Sequence, residues 1–257
     1  HIENIGYWHY AHSYVRGNWR NSDETTSMIV AKCSHDTDIM NYLLGGKKCR
    51  KISSFGSLSY FTPENAPKGA AKRCGDCMYN KSCMYSAYKY LDDRKLRKNF
   101  RDIIKRTENN EEFLKYMLTT PYARCVYYCD NNVADHQTVM MEYEDGVTAS
   151  WQASAFTMDT IRQTKIMGTA GEIEGSIEED QFIVRDFASG NETTVKVHTP
   201  KTLHSGGDEC IMETFTNALR NPGEENLMYS ARLSLQGHVM AFAAEESRMN
   251  GGMVIEL

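Results

Sequence analysis

The chain has no apolar run approaching the roughly 20 residues that a membrane-spanning helix needs. Its first residues, His1 to His9, lack the charged-then-apolar order of a signal peptide. They lack an initiator Met and a leading tail as well, and HIENIGYWHY reads as the strand of a fragment cut at a domain border. There is no excess of positive charge: the formal net charge of −5 argues against general nucleic-acid binding. No G-x-G-x-x-G turn is present to receive a dinucleotide pyrophosphate on backbone N–H groups, and no G-x-x-x-x-G-K-[ST] phosphate loop. The nearest approach, Gly168-Thr169-Ala170-Gly171, falls between two predicted strands and reads as a hairpin turn. Internal repeats and low-complexity linkers are missing too.

What is present describes a globular domain. With 257 residues, 25% charged and 41% hydrophobic, the chain is long enough to fold on a core of its own. Residues 1–10 read as a strand and 11–30 as a polar, irregular stretch. A helix is expected from Ser34, which makes a good N-cap; Asp36 and Asp38 suit its first turn, Ile39, Tyr42 and Leu43 recur at helical spacing, and Gly45-Gly46 stops it. A second strand covers 48–61, with Ile52, Phe55, Leu58 and Tyr60 in alternation, and a charged helical region covers 86–118. Strands then follow at 123–129, 136–144, 147–156, 161–168, 171–177, 181–187 and 192–198. Asp145-Gly146 and Ser189-Gly190-Asn191 are hairpin turns, because these residues tolerate positive φ. Two helices close the chain, at about 206–220 with Ile211, Phe215, Ala218 and Leu219 on one face, and at about 229–249 from Ser230. Consecutive strands without intervening helices make an antiparallel meander. The fold class is therefore α+β: one domain over 1–257, a large, open, mainly antiparallel sheet with helices on one face, and residues 62–120 as an insertion. The open face is expected to become a partner surface or a ligand floor.

The eight cysteines are unevenly spread, three of them in Cys74-x-x-Cys77-x5-Cys83. Without a secretion signal they point to a reducing cytoplasm and to thiolate chemistry. Two thiolates spaced by two residues suit one metal ion, and tetrahedral zinc wants four ligands. Cys125 and Cys129 both offer the fourth. Four apart on a predicted strand they stand roughly 13 Å apart, so one ion takes only one of them. Cys129, ending that strand beside Asp130-Asn131-Asn132, is the candidate, while Cys125 beside Val126 reads as core. Such a site would be structural, since four sulfurs leave no position for water. Iron–sulfur ligation, a disulfide or unlinked thiols are the alternatives.

Several ordered motifs resemble one family. His1-Ile2-Glu3-Asn4, Gly6-Tyr7-Trp8-His9 and Val15-Arg16-Gly17-Asn18-Trp19-Arg20 are similar to the start of the C-terminal domain of Gfo/Idh/MocA oxidoreductases. So are Ser34-His35-Asp36-Thr37-Asp38 with Leu43-Leu44-Gly45, Met167 to Ile173, and the ending Ala241 to Arg248. The resemblance covers nearly the whole chain. It implies an N-terminal Rossmann domain, with a Glu-Lys-Pro motif, that binds NAD or NADP. It also implies a substrate domain acting on a hydroxyl of a sugar, inositol or related polyol, and inactivity of this fragment alone.

His35 is the candidate catalytic residue. Imidazole titrates near neutrality and accepts a proton well, and a helix start favours its neutral form; the resemblance places a His followed three residues later by Asp in the substrate site, matching His35 and Asp38. The family's Asp four residues before that His is Ala31 here, with Lys32 beside it as a possible substrate contact. Arg forks and indole faces suit polyhydroxylated ligands, so His9, His12, Arg16, Trp19 and Arg20 join the substrate candidates. Asp135-His136 reads as a solvated strand end. A non-enzymatic binding or dimerisation module with the same fold is the alternative, and a metal hydrolase built on His9, His12 and His35 ranks last, its spacing matching no helical ligand pair.

Overall fold

The structure is a computed structural model and describes residues 1–92, 95–198, 200, 202, 206–221 and 231–257. Among these, nine strands form one sheet in the order β8-β7-β6-β5-β1-β4-β3-β2-β9. The strands are β1 (Ile2–Asn4), β2 (Cys49–Ser57), β3 (His136–Tyr143), β4 (Thr148–Ser154), β5 (Ile161–Met167), β6 (Gly171–Ser176), β7 (Gln181–Asp186), β8 (Glu192–Lys196) and β9 (Ile255–Glu256). Every pairing is antiparallel except that of β1 with β4. The expected α+β architecture with a large, mainly antiparallel sheet is the one observed.

The hairpins form where turn chemistry placed them. Asp145 (φ 63) and Gly146 (φ 75) carry the chain from β3 to β4, and Gly190 (φ 70) turns it between β7 and β8. Gly168 N–H donates to Gly171 O at 2.9 Å between β5 and β6, which leaves that glycine pair no freedom to cradle a phosphate.

The first ten residues are not one strand. β1 ends at Asn4, Gly6 turns the chain at φ 82, and a helix α1 (Tyr7–Tyr10) runs on as a π-helical turn, Ala11–Arg16. A helix lets Trp8, Tyr10, Tyr14 and Val15 all be buried, which an alternating strand does not. The helix α2 starts not at Ser34 but at Met28, with Ser27 at its N-cap, and ends at Leu43. Its buried residues Met28, Ile29, Lys32, Cys33, Asp36, Thr37, Met40 and Asn41 recur on one helical stripe, so tertiary packing extends it two turns before Ser34. Gly46 N–H then closes the end onto Asn41 O and Gly45 N–H onto Tyr42 O.

No strand forms at 123–129. Pro121–Ala123 is a single 3-10 turn, and Tyr128 N–H donates to Cys125 O in a second turn. Within 86–118 the expected helical region resolves into a 3-10 turn at Ala87–Leu91, α3 (Lys95–Ile104) and α4 (Asn110–Met117), the last capped by Asn109 Oδ1. These elements bury Trp8, Tyr90, Phe100, Phe113 and Met117 together in a cluster beside the main core.

The closing helices are α5 (Gly207–Arg220) and α6 (Ala231–Met249); the expected start at Ser230 lies outside the described residues. α6 packs on α2, where Thr37 Oγ1 donates to Gly237 O at 3.0 Å, and on β2, where Ser54 N–H donates to Ser247 Oγ at 2.8 Å. The core lies between these helices and one sheet face: Ile52, Val139, Met141, Trp151, Ala153, Met240, Ala241 and Ala244. On the other face Phe55, Met140 and Met167 are exposed. The Ile211-Phe215-Leu219 face of α5 is exposed among the described residues rather than part of the core.

Candidate functional site

Three elements bring charge into the apolar interior at one place. Glu3 on β1 stands opposite Arg162 on β5 in the antiparallel register, and α2 crosses above them with Lys32, His35 and Asp36 at helical spacing on one face. Glu3 and Asp36 are fully buried and Lys32 nearly so. Lys32 Nζ lies 2.8 Å from Glu3 Oε1, and Arg162 Nε lies 2.7 Å from Glu3 Oε2 and 2.8 Å from Asp36 Oδ1. His1 Nε2 is 3.2 Å from Asp36 Oδ1, and its Nδ1 is 2.8 Å from Thr164 Oγ1. Two carboxylates and two permanent cations thus neutralise one another out of water, the condition under which buried charge is tolerated.

The network spends its acceptors internally: Glu3 Oε1 is held by Lys32 and Oε2 by Arg162, and Asp36 Oδ2, also shielded from solvent, has His35 Nε2 at 3.7 Å. Burial raises the Glu3 carboxyl against the pull of Lys32 and Arg162. Asp36 goes the other way: burial opposes its ionisation, but the His1 hydrogen bond and the cations around it hold its carboxyl down to about 2.

His35 sits at the rim, about half exposed, with Nε2 2.6 Å from Arg162 Nη2 and 3.7 Å from Asp36 Oδ2. Partial burial, then Arg162, Lys32 and His1, outweigh the attraction of Asp36 and push the imidazole down to about 4. It is therefore neutral at physiological pH, with Nε2 accepting from the guanidinium and Nδ1 carrying the hydrogen. The neutral form was expected, but its cause is the neighbouring cations: seven residues into α2, His35 is well past the first turn where a helix N-terminus acts.

The other sequence candidates scatter. His9 lies close enough to feel Lys32, and burial first, with that cation, pushes it down to about 4; its Nδ1 has no partner. His12 is stacked between Phe100 and Tyr122, its Nδ1 2.7 Å from Tyr90 Oη, and burial pushes it down to about 3. Arg16 is buried beside Cys74 and donates to the Arg124 and Tyr85 carbonyls. Trp19 is exposed, Arg20 forks onto Asp130 at 2.8 and 3.0 Å, and Asp38 stands outside the charge network. Asp135 is no solvated strand end: fully buried, it accepts from Ser59 N, Tyr60 N and Ser59 Oγ and holds His136 Nδ1 at 2.8 Å. Glu3 and Arg162 were missed. The signals for them were an acid after Ile2 and two residues before Ile5 in the first segment, and polar residues on both faces of β5.

Among the described residues, Glu3, His35 and Asp36 are the one group with three metal-ligating atoms within 4.8 Å, but an ion there would have to displace Arg162. All eight cysteines are free thiols. Cys74, Cys77, Cys83 and Cys125 line one small cavity, and Cys129 does not. Two larger hollows, about 560 and 490 Å³, flank the C-terminal half of α2 around Met40, Leu43 and Tyr42; neither is lined by His35.

No family model matches the chain, and no curated protein matches it by sequence. Solved structures do match by fold. Levoglucosan dehydrogenase in complex with NADH and levoglucosan aligns with a TM-score of 0.60 at 14% identity, covering 99% of this chain and 56% of its own. An oxidoreductase from Agrobacterium radiobacter in complex with NAD+, L-tartaric acid and magnesium gives 0.55 at 14%, covering 99% and 55%. Gal80p from Saccharomyces cerevisiae, crystallised as a super-repressor mutant, gives 0.55 at 12%, covering 99% and 56%. The chain spans just over half the length of each of these neighbours. At 12–14% identity these likenesses show a shared fold, an α+β domain built on one open, mainly antiparallel sheet.

Proposed function

We propose that this chain is the substrate-binding part of a NAD(P)-dependent oxidoreductase acting on a hydroxyl of a sugar, inositol or related polyol. The observation that carries the reading is the site itself: a neutral, half-exposed imidazole at the rim of a buried four-charge network, 2.6 Å from the Arg162 guanidinium. A neutral imidazole takes the hydroxyl proton when hydride leaves the adjacent carbon. The nicotinamide, held by a Rossmann domain, would supply the hydride acceptor. Glu3 stands in for the carboxylate absent at Ala31: it faces Lys32 from β1 instead of preceding His35 on the helix. To accept a proton on Nε2, His35 has to exchange the Arg162 hydrogen bond for one from substrate, so substrate binding and proton acceptance are coupled. Lys32, Asp38, His9 and Trp19 are proposed to complete the substrate side. Subunits are proposed to associate through the open sheet face, and the free thiols suit a reducing, cytoplasmic setting.

One feature favours a second reading, a binding or dimerisation module without catalysis: the lone pair that His35 needs as a base is already taken by Arg162. Gal80p, crystallised as a super-repressor mutant, shares the fold. The two are separated by assaying the complete gene product for NAD(P)H formation with a panel of sugars and polyols. The enzyme reading expects turnover, a fall in kcat of roughly 10²-fold or more in His35→Asn, and unchanged nucleotide binding. Stoichiometric nucleotide binding with no turnover on any sugar or polyol would establish the module instead.

A further inference from the structure

We propose that Cys74, Cys77, Cys83 and Cys125 bind one structural zinc ion as four thiolates, with the buried Arg16 guanidinium as their counter-cation.

The four residues line a cavity of about 20 Å³, room for a single ion or water. Their convergence is tertiary. Cys74–Asp76 is a single 3-10 turn, and Cys77 N–H closes back onto Cys74 O at 3.4 Å, so the first pair sits on one tight knuckle. Cys83 follows on a second turn, its N–H donating to Tyr79 O at 2.8 Å. Cys125 arrives from 51 residues beyond Cys74: an isolated antiparallel bridge joins Arg73 to Arg124, and Cys125 N–H donates to Lys72 O at 2.9 Å. That bridge sets Cys125 beside Cys74. Cys129 is turned elsewhere, its Sγ 3.3 Å from Cys125 O.

Arg16 is the independent observation. It lines the same cavity, is 2% exposed, and has no carboxylate within ion-pair distance among the described residues. Nε and Nη2 are spent on carbonyl oxygens, Nη2 also lies 3.9 Å from Cys74 Sγ, and Nη1 makes no hydrogen bond of standard geometry, with the uncharged Tyr90 hydroxyl against the guanidinium. A guanidinium does not deprotonate, so a buried one needs negative charge nearby. Four neutral thiols do not provide it. Zn²⁺ with four thiolates carries a net charge of −2 and does; binding releases the four thiol protons to solvent. Ala87 N–H already points at Cys74 Sγ, 3.5 Å away, the kind of backbone donor that supports a metal-bound thiolate. No three of the sulfurs lie within 4.8 Å of one another. A zinc–sulfur distance of about 2.3 Å therefore requires the two turns to close onto the ion. The ion would then tie the polar loop after β2 to the segment before β3.

The test uses protein purified without chelators or added metal. Elemental analysis is expected to find about one zinc per chain. Cobalt(II) replacement is expected to give intense sulfur-to-metal charge-transfer absorption with tetrahedral d–d bands. Cys125→Ser and Cys77→Ser should each weaken that binding by roughly tenfold or more, while Cys129→Ser leaves stoichiometry and spectrum unchanged. Cys77, whose thiol is part-exposed, keeps the test open if the Cys125 variant does not fold. Metal-free protein that shows no charge-transfer band on cobalt titration overturns the proposal. So does stoichiometric iron in place of zinc, or a Cys129→Ser variant that loses the site while Cys125→Ser keeps it.

Discussion

Glu3 and Arg162 face each other across the β1–β5 pair, and the guanidinium Nε lies 2.7 Å from the carboxylate beneath α2. This cross-strand ion pair is the floor on which Lys32, Asp36 and His35 are arranged, and removing one partner leaves the rest of the network with unbalanced charge.

Arg162→Met should therefore destabilise the protein by about 3 kcal/mol or more, because Glu3 and Asp36 would both stay buried with Lys32 as the one lysine or arginine cation left beside them. Urea unfolding followed by circular dichroism measures it. A midpoint unchanged from the parent protein would show that the network carries little energetic weight. The double variant Glu3→Gln/Arg162→Met should recover part of the loss, since it removes one charge of each sign.

Stability should fall as the pH drops below about 6.5. His9 and His12 are pushed down to about 4 and 3 by burial, so the unfolded chain binds protons in this range that the folded chain refuses. More protons on the unfolded state means stability rises with pH. At pH 5 each of these two histidines costs about 2 kcal/mol relative to pH above 6.5. The half-exposed His35 adds in the same direction. Asp36, held at about 2, contributes above its ordinary 3.8 and that contribution is lost only at more acid pH. Urea midpoints at pH 7.5 and pH 5 test this, and the slope should flatten in His12→Phe/Tyr90→Phe. Equal midpoints at the two pH values would contradict it.

Met140→Glu on the open sheet face should convert an oligomer to a smaller species without loss of stability, as the exposed Met140 side chain contributes nothing to the monomer core. Light scattering coupled to size exclusion decides the point. A parent chain that is already monomeric at micromolar concentration would remove the open face from consideration.

The architecture was legible because it rests on local chemistry. Asp145-Gly146 and Ser189-Gly190-Asn191 announce turns through tolerance of positive φ, and strands separated only by such turns pair antiparallel. The misreadings share one cause. At Tyr7–Arg16, Met28–Ser34 and Ala123–Cys129 short-range pattern points one way, and in each the burial of residues against distant parts of the chain selects a different local conformation. The family-like motifs drew attention to His35, whereas its Arg162 partner stood 127 residues away with nothing local to connect them.

By itself the sequence determined the sheet meander, the absence of a dinucleotide turn, and the candidates His35 and Cys74-x-x-Cys77-x5-Cys83. Only the tertiary structure decided what surrounds them: Glu3 and Arg162 beneath His35, and Cys125 rather than Cys129 beside Cys74. The reason is physical. Turn and spacing preferences act over a few residues, but a buried charge or thiol finds its partners through strand register and bridges that join segments far apart in the chain.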